Sequence, residues 1–209
     1  MESIRHPNIV LFMGSCTKLP HLSIVLEFCP YKSLWNLLHN KKISLSWEKR
    51  RRISLGIAQG MNYLHSFPIP VLHRDLKSLN ILIDEGLIPK IADFGWTRLK
   101  SKKMTKKIGT FQWMAPEVLT SQDYTEKADV FSYGIILWEI ASRKPPYKNI
   151  SGITVATRVV SNNLRPPVDE SFPKQFTELM TKCWDRNPEN RPRFKEIIHL
   201  LNSMKFSNN

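Results

Sequence analysis

Cysteine is scarce in this chain. Cys16, Cys29 and Cys183 are the three in 209 residues, far apart and without a Cys-x-x-Cys pair. An odd, scattered set excludes a disulfide framework or a thiolate zinc site as the organising device and favours free thiols in a reducing compartment. Long apolar runs are missing as well. The most apolar stretch, around Ile135 to Trp138, stops at Glu139, well short of the roughly 20 residues that a bilayer span needs. Glu2, Arg5, His6 and Pro7 interrupt the opening where a secretory leader would be apolar. The expectation is a soluble, cytoplasmic protein with no membrane insertion. No repeat and no long linker divides the chain, so one domain is expected over 1–206, with 207–209 as a frayed tail. Acid is the last shortage: 18 Asp and Glu stand against 31 Lys and Arg, a net charge of +13.

Hydrophobic pattern and turn residues give the elements. Ile9–Met13 and Leu22–Phe28 read as two buried strands joined by a turn at Lys18-Leu19-Pro20. Ser33 caps a short helix running to His39. Ser46 caps a longer one, whose stripe of Ile53, Ile57, Met61 and Leu64 faces a core. The cluster Lys49-Arg50-Arg51-Arg52 at the start of that helix reads as a solvated face, with a docking patch for an acidic partner as the alternative. Asp129–Ala141 is apolar almost all round, as in a helix buried at the centre of a domain. Further helices are expected near Ile153–Val160, Pro173–Cys183 and Phe194–Met204.

The chemistry concentrates in His73-Arg74-Asp75-Leu76-Lys77-Ser78-Leu79-Asn80. Residues 81–92 separate it from Asp93-Phe94-Gly95 and read as two short strands around a Glu-Gly turn. Such a hairpin returns Asn80 and Asp93 to one end, where two oxygen side chains can share a hard cation such as magnesium. Asp75 is then one loop away as a carboxylate able to accept a hydroxyl proton, with Lys77 supplying positive charge.

These two motifs, together with Ala115-Pro116-Glu117, resemble the signature of the protein kinases in order and spacing. The resemblance implies an α+β, protein-kinase-like fold: a mainly helical C-lobe over 30–206, and a remnant of the β-rich N-lobe, two strands and a hinge, over 1–29. It implies transfer of the ATP γ-phosphate to protein hydroxyls. Asp75, Lys77 and Thr110 are the catalytic set, and Asn80 and Asp93 hold Mg2+. Leu26 is the gatekeeper, the backbone of Glu27 and Cys29 meets adenine, and Leu82 lies beneath it. Glu117 and Arg191 form a buried structural pair. The basic stretch 96–115 is the activation segment, expected to be mobile until a phosphate on Ser101 or Thr105, placed by an upstream kinase, pairs with Arg74 and nearby lysines. Phe12, Phe94, His73 and Asp129 fall at positions of the family's regulatory spine. Lys77, Ser78 and the run Gly109–Glu117 look like the tyrosine-kinase-like group, Raf-type and plant mixed-lineage kinases included, which phosphorylate mainly serine and threonine and work in signalling.

The likeness covers about the last three-quarters of the family's domain. The Gly-rich loop, the Val-Ala-x-Lys strand and the αC glutamate have no counterpart in these 209 residues. The expectation is therefore a piece of a longer enzyme, with Met1 an internal methionine. A non-catalytic kinase-like scaffold is the alternative, and the surplus of positive charge raises polyanion binding as a third. A nucleic-acid binder would gather its cations on one face with aromatics. Here the lysines gather in one loop, and no specific nucleic acid is expected.

Overall fold

A helix with no polar face has to be surrounded, and the fold is built around one. The structure, a computed structural model, describes residues 4–93, 110–120 and 124–206. At its centre α4 (Glu126–Ser142) is buried from Ala128 through Ala141. Thr125 caps its N-terminus, and Arg143 ends it in the left-handed conformation at φ 52°. α2 (Trp47–His65) and α6 (Lys174–Cys183) pack against it, and α7 (Phe194–Ser203) lies across α2. Tyr133 of α4 donates its hydroxyl to the Ser54 carbonyl of α2 at 3.0 Å, and its ring meets Phe194 of α7 edge-on. The stripe Ile53, Ile57, Met61 and Leu64 is buried as its spacing requires. α1 (Leu34–His39) begins at a Ser33–Asn36 capping box, α3 (Pro116–Leu119) is a single turn, and α5 (Gly152–Ser161) is capped by Ser151. Among the described residues no helix is long and apolar enough to cross a membrane.

Among the described residues, two small antiparallel sheets complete the architecture. β1 (Phe12–Cys16) pairs with β2 (Ser23–Leu26), Phe12 opposite Leu26. β3 (Ile81–Ile83) pairs with β4 (Pro89–Ile91), Ile81 opposite Ile91. Asp84 closes that hairpin by accepting from the amides of Gly86 and Ile88. The hairpin rests on α2, and Gly60 makes this possible. A Cβ there would come within 2.7 Å of both the Asn8 carbonyl and Ile91 Cδ1, so any side chain would force helix and strand apart.

Two sequence expectations need correction. Ile9–Met13 and Leu22–Phe28 do not form two buried strands. Ile9 and Val10 instead bond to β4, through Val10 N–H to the Ile91 carbonyl, and the first strand starts only at Phe12. β2 is exposed along its whole length. An apolar run records what a face would bury, and in the described structure this sheet's main contact is its own pairing. Nor is Lys49–Arg52 simply a solvated face. Arg50 lies 4.7 Å over the Trp47 ring and bonds the carbonyls of Leu45 and Ala141. Arg51 pairs with Glu48 and reaches the Leu201 carbonyl. Long guanidinium stems can lie along a helix and satisfy the open carbonyls at another helix end, so only Lys49 and Arg52 face water.

Candidate active site

The site is assembled from the end of α4 outward. Asp129 is fully buried and accepts four hydrogen bonds: from His73 N–H at 2.9 Å, Arg74 N–H at 3.0 Å, the Tyr124 hydroxyl at 2.7 Å and His65 Nε2 at 2.9 Å. Burial alone would push this carboxyl up. The His65 bond and charge, with His73 and Tyr124 behind them, outweigh that and hold it below the usual carboxylate range. The anchored loop can therefore afford strain, since Arg74 sits at φ 64°, a region that residues other than glycine rarely occupy.

His73 links the two halves of the site. It is wholly buried, its Nε2 lies 2.9 Å from the Ala92 carbonyl, and its Nδ1 accepts from Asp75 N–H at 3.3 Å. Only a neutral imidazole protonated on Nε2 satisfies both bonds. Burial favours that form by holding the histidine below its ordinary value, against the charge of Asp129. One ring thus positions the backbone of Asp75 and of the residue before Asp93.

Four of the expected polar side chains meet here. Lys77 Nζ donates to both Asp75 carboxylate oxygens, at 2.9 and 3.2 Å, and to Thr110 Oγ1 at 3.3 Å. Asn80 Nδ2 donates to the Asp75 carbonyl at 2.8 Å and to its carboxylate at 3.1 Å. Thr110 reaches the lysine, and among the described residues no bond joins it to Asp75. Ala92 N–H bonds the Asn80 carbonyl at 2.9 Å, which sets exposed Asp93 beside Asn80 at φ 60°. Because the Asn80 amide spends its N–H on Asp75, its oxygen is left for a ligand. Asn80 and Asp93 are thus the oxygen-bearing side chains here that could hold a hard cation, one that completes its shell from phosphate and water.

The remaining expected residues flank this cluster. Leu26 ends β2 opposite Phe12, and the Glu27 N–H is already bonded to the Leu11 carbonyl. Glu27 also pairs through its side chain with Lys90 at 3.0 Å. Cys29 is buried, its carbonyl accepts from Lys32 N–H, and burial raises its thiol. Residues 31–33 run alongside β3, with Ser33 bridging the half-buried Leu82. On the far side Arg191 clasps Glu117 through two bonds of 2.6 and 3.0 Å. Phe94, Ser101, Thr105 and the 207–209 tail lie outside the described residues.

Comparison with known proteins decides what this arrangement belongs to. The sequence profile of the family described as protein tyrosine and serine/threonine kinase matches residues 1–201. The chain is a member of the protein kinase family. It is 45% identical over 209 residues to the probable serine/threonine-protein kinase drkC of Dictyostelium discoideum, and 42% identical over 206 residues to the serine/threonine-protein kinase STY17 of Arabidopsis thaliana. Each alignment takes in 98% of this chain but only 28% and 36% of those relatives. A further probable serine/threonine-protein kinase of Dictyostelium discoideum is 46% identical over 98% of this chain and 22% of its own length. The chain therefore spans about a sixth to just over a third of the curated relatives it matches.

One residue of this kinase site was not singled out from the sequence. Glu139 is fully buried in α4, where its Oε1 accepts from the Ser78 hydroxyl and its Oε2 from the Trp113 indole N–H, both at 2.7 Å. Ser78 adjoins Lys77 and Trp113 follows Thr110 by one turn, so Glu139 closes a ring behind the Lys77–Thr110 contact. Its sequence signal was an acid in the midst of the apolar run that ends α4, about three turns after Asp129. Burial raises it to about 8, against the pull of the two hydrogen bonds. The folded chain thus holds a proton that the unfolded chain releases above its ordinary value of 4.5. Stability from this group is complete below pH 4.5 and is lost as pH rises through about 8, with a slope of at most about 1.4 kcal/mol per pH unit. Urea titrations across that window should show Glu139→Gln flattening the slope. An unchanged pH profile would contradict the assignment.

Proposed function

We propose that this chain is the catalytic-loop region of an ATP-dependent serine/threonine protein kinase of the tyrosine-kinase-like group. The observation that carries the reading is the joint contact of Lys77 with the Asp75 carboxylate and the Thr110 hydroxyl. Phosphoryl transfer asks a protein mainly for position and charge neutralisation. Asp75 orients the acceptor serine or threonine hydroxyl and takes its proton late. Lys77 offsets negative charge on the transferred group, and Thr110 holds that lysine in place. Asn80 and Asp93 would hold Mg2+, whose chemistry is to neutralise phosphate oxygens. Adenine would be met by the backbone of Glu27 and Cys29, below Leu26 and above Leu82. An upstream kinase acting on Ser101 or Thr105 would regulate the activation segment, and the setting is cytoplasmic. The same reading expects no specific nucleic-acid target.

The test is transfer from γ-labelled ATP to a generic basic protein, followed by phosphoamino-acid analysis, using the full-length protein beside the 209-residue chain. Phosphoserine and phosphothreonine are expected from the full-length protein, with little or none from the 209 residues alone. Exclusive phosphotyrosine would overturn the specificity, and no transfer by the full-length protein would favour the scaffold reading.

A further inference from the structure

At the opposite end of α4 from Asp129, four stretches of chain surround a cavity of about 710 Å³. They are the first turn of α2, the last turns of α4, the bend at 144–150 that follows, and the run 164–172 before α6. The walls are aromatic: Trp47, Trp138 and Tyr147 line it, with Phe172 edge-on to Trp47. Trp138 is fixed by its indole N–H to the Pro167 carbonyl at 2.7 Å. None of these residues belongs to the catalytic cluster, and the volume is in the range of specific ligand pockets, about 300–1,000 Å³.

The charge around this cavity is one-sided. Arg50, Lys144, Lys148 and Arg165 line it, against a single carboxylate, Asp169. That carboxylate is itself engaged by the Ser171 amide and hydroxyl. Among the described residues neither arginine is ion-paired. Arg50 donates to the carbonyls of Leu45 and Ala141, and Arg165 to those of Trp184 and Leu164. Arg165 Nη2 is buried with no hydrogen-bond partner. Burial lowers the pKa of both; Arg143 adds to it for Arg50, while for Arg165 the pull of Tyr147 and Asp185 opposes that of Arg191. Two desolvated guanidiniums and two exposed lysines therefore create positive potential that Asp169, the one carboxylate among the described lining residues, does not balance.

We propose that this cavity is a docking site for an acidic peptide segment of a partner protein, one that sets an aromatic side chain against Trp47 and Trp138 while its carboxylates meet Lys144 and Lys148. Aromatic anchors in a concave pocket with charges at the rim are the usual division of labour at such sites. A second copy of this chain is disfavoured as occupant, since its own charge is +13. Nucleic acid is disfavoured because the cations ring a concave pocket rather than form an extended stripe. The inference is independent of the proposed catalytic activity.

The 209-residue chain itself serves for the test, with indole N–H resonances followed by NMR. The probe is a short peptide of Glu and Asp around a single Phe. Its titration should shift the Trp47 and Trp138 indole signals. Lys144→Glu with Lys148→Glu should weaken binding by about tenfold or more. The same charge change at Lys182 and Lys195, exposed residues that line a different cavity, should leave affinity within about twofold. Replacing the peptide's Phe by Ser should also weaken it. Equal losses from both lysine pairs would reduce the effect to overall charge and overturn the proposal. So would unmoved indole signals, or a random single-stranded oligonucleotide that shifts them at lower concentration than the peptide.

Discussion

Asp75→Asn in the full-length protein should lower phosphoryl transfer by a factor of about 10²–10⁴, the usual contribution of a positioned general base, and leave the unfolding curve in place. Asparagine has the same shape, and its amide oxygen can still accept from Lys77. It cannot take a proton, and its NH2 would face the donors Lys77 Nζ or Asn80 Nδ2, both now bonded to the carboxylate. The fold is spared because the loop hangs on backbone bonds to Asp129 and on His73, not on the Asp75 side chain. Asp93→Ala should show the same pattern for a different reason, loss of an oxygen ligand. Steady-state transfer and urea unfolding of each variant are the measurements. Undiminished turnover in either would end the roles assigned to these carboxylates.

The largest loss of stability should come from the Glu117–Arg191 pair, measured by urea denaturation of the 209-residue chain. Arg191 is 1% exposed and Glu117 8%. Removing one partner of a buried pair generally costs about 3–5 kcal/mol, since the other charge stays behind. Arg191→Ala should fall at the high end. Its guanidinium also donates to the carbonyls of Asp185, Lys127 and Arg186 and lies 5.1 Å over the Phe131 ring. Glu117→Ala leaves those carbonyl bonds in place. Replacing both partners by apolar residues should cost less than either single change if the desolvation of an orphaned charge is the main penalty. A loss below about 1 kcal/mol for Arg191→Ala would place the pair among ordinary surface ion pairs.

The sequence was most legible where one local cause decides. The Ser33 and Ser46 caps, the stripe on α2, the all-apolar α4 and the hairpin after Asn80 each stand where spacing or turn chemistry put them. It was least legible where burial depends on what lies opposite. Nothing in Ser23–Leu26 says that its faces are open, and nothing in Lys49–Arg52 says that two of its arginines serve the carbonyls of other helices. In the site, the signature residues Asp75, Lys77, Asn80 and Thr110 were readable because their order along the chain is distinctive. Glu139 was passed over because its partners, Ser78 and Trp113, lie 61 and 26 residues away. The cavity beside Trp47 and Trp138 is assembled from four separate stretches, so no single window of sequence spells it.

The grip of Asp129 on two consecutive amides also sets how the catalytic loop samples open states. A loop on a surface normally breathes independently of the helices that carry it. Here the His73 and Arg74 amides end on a carboxylate that is 0% exposed in the central helix. Their protons should therefore trade with solvent more slowly than those of an unanchored surface loop, a protection that amide hydrogen exchange would read at His73 and Arg74.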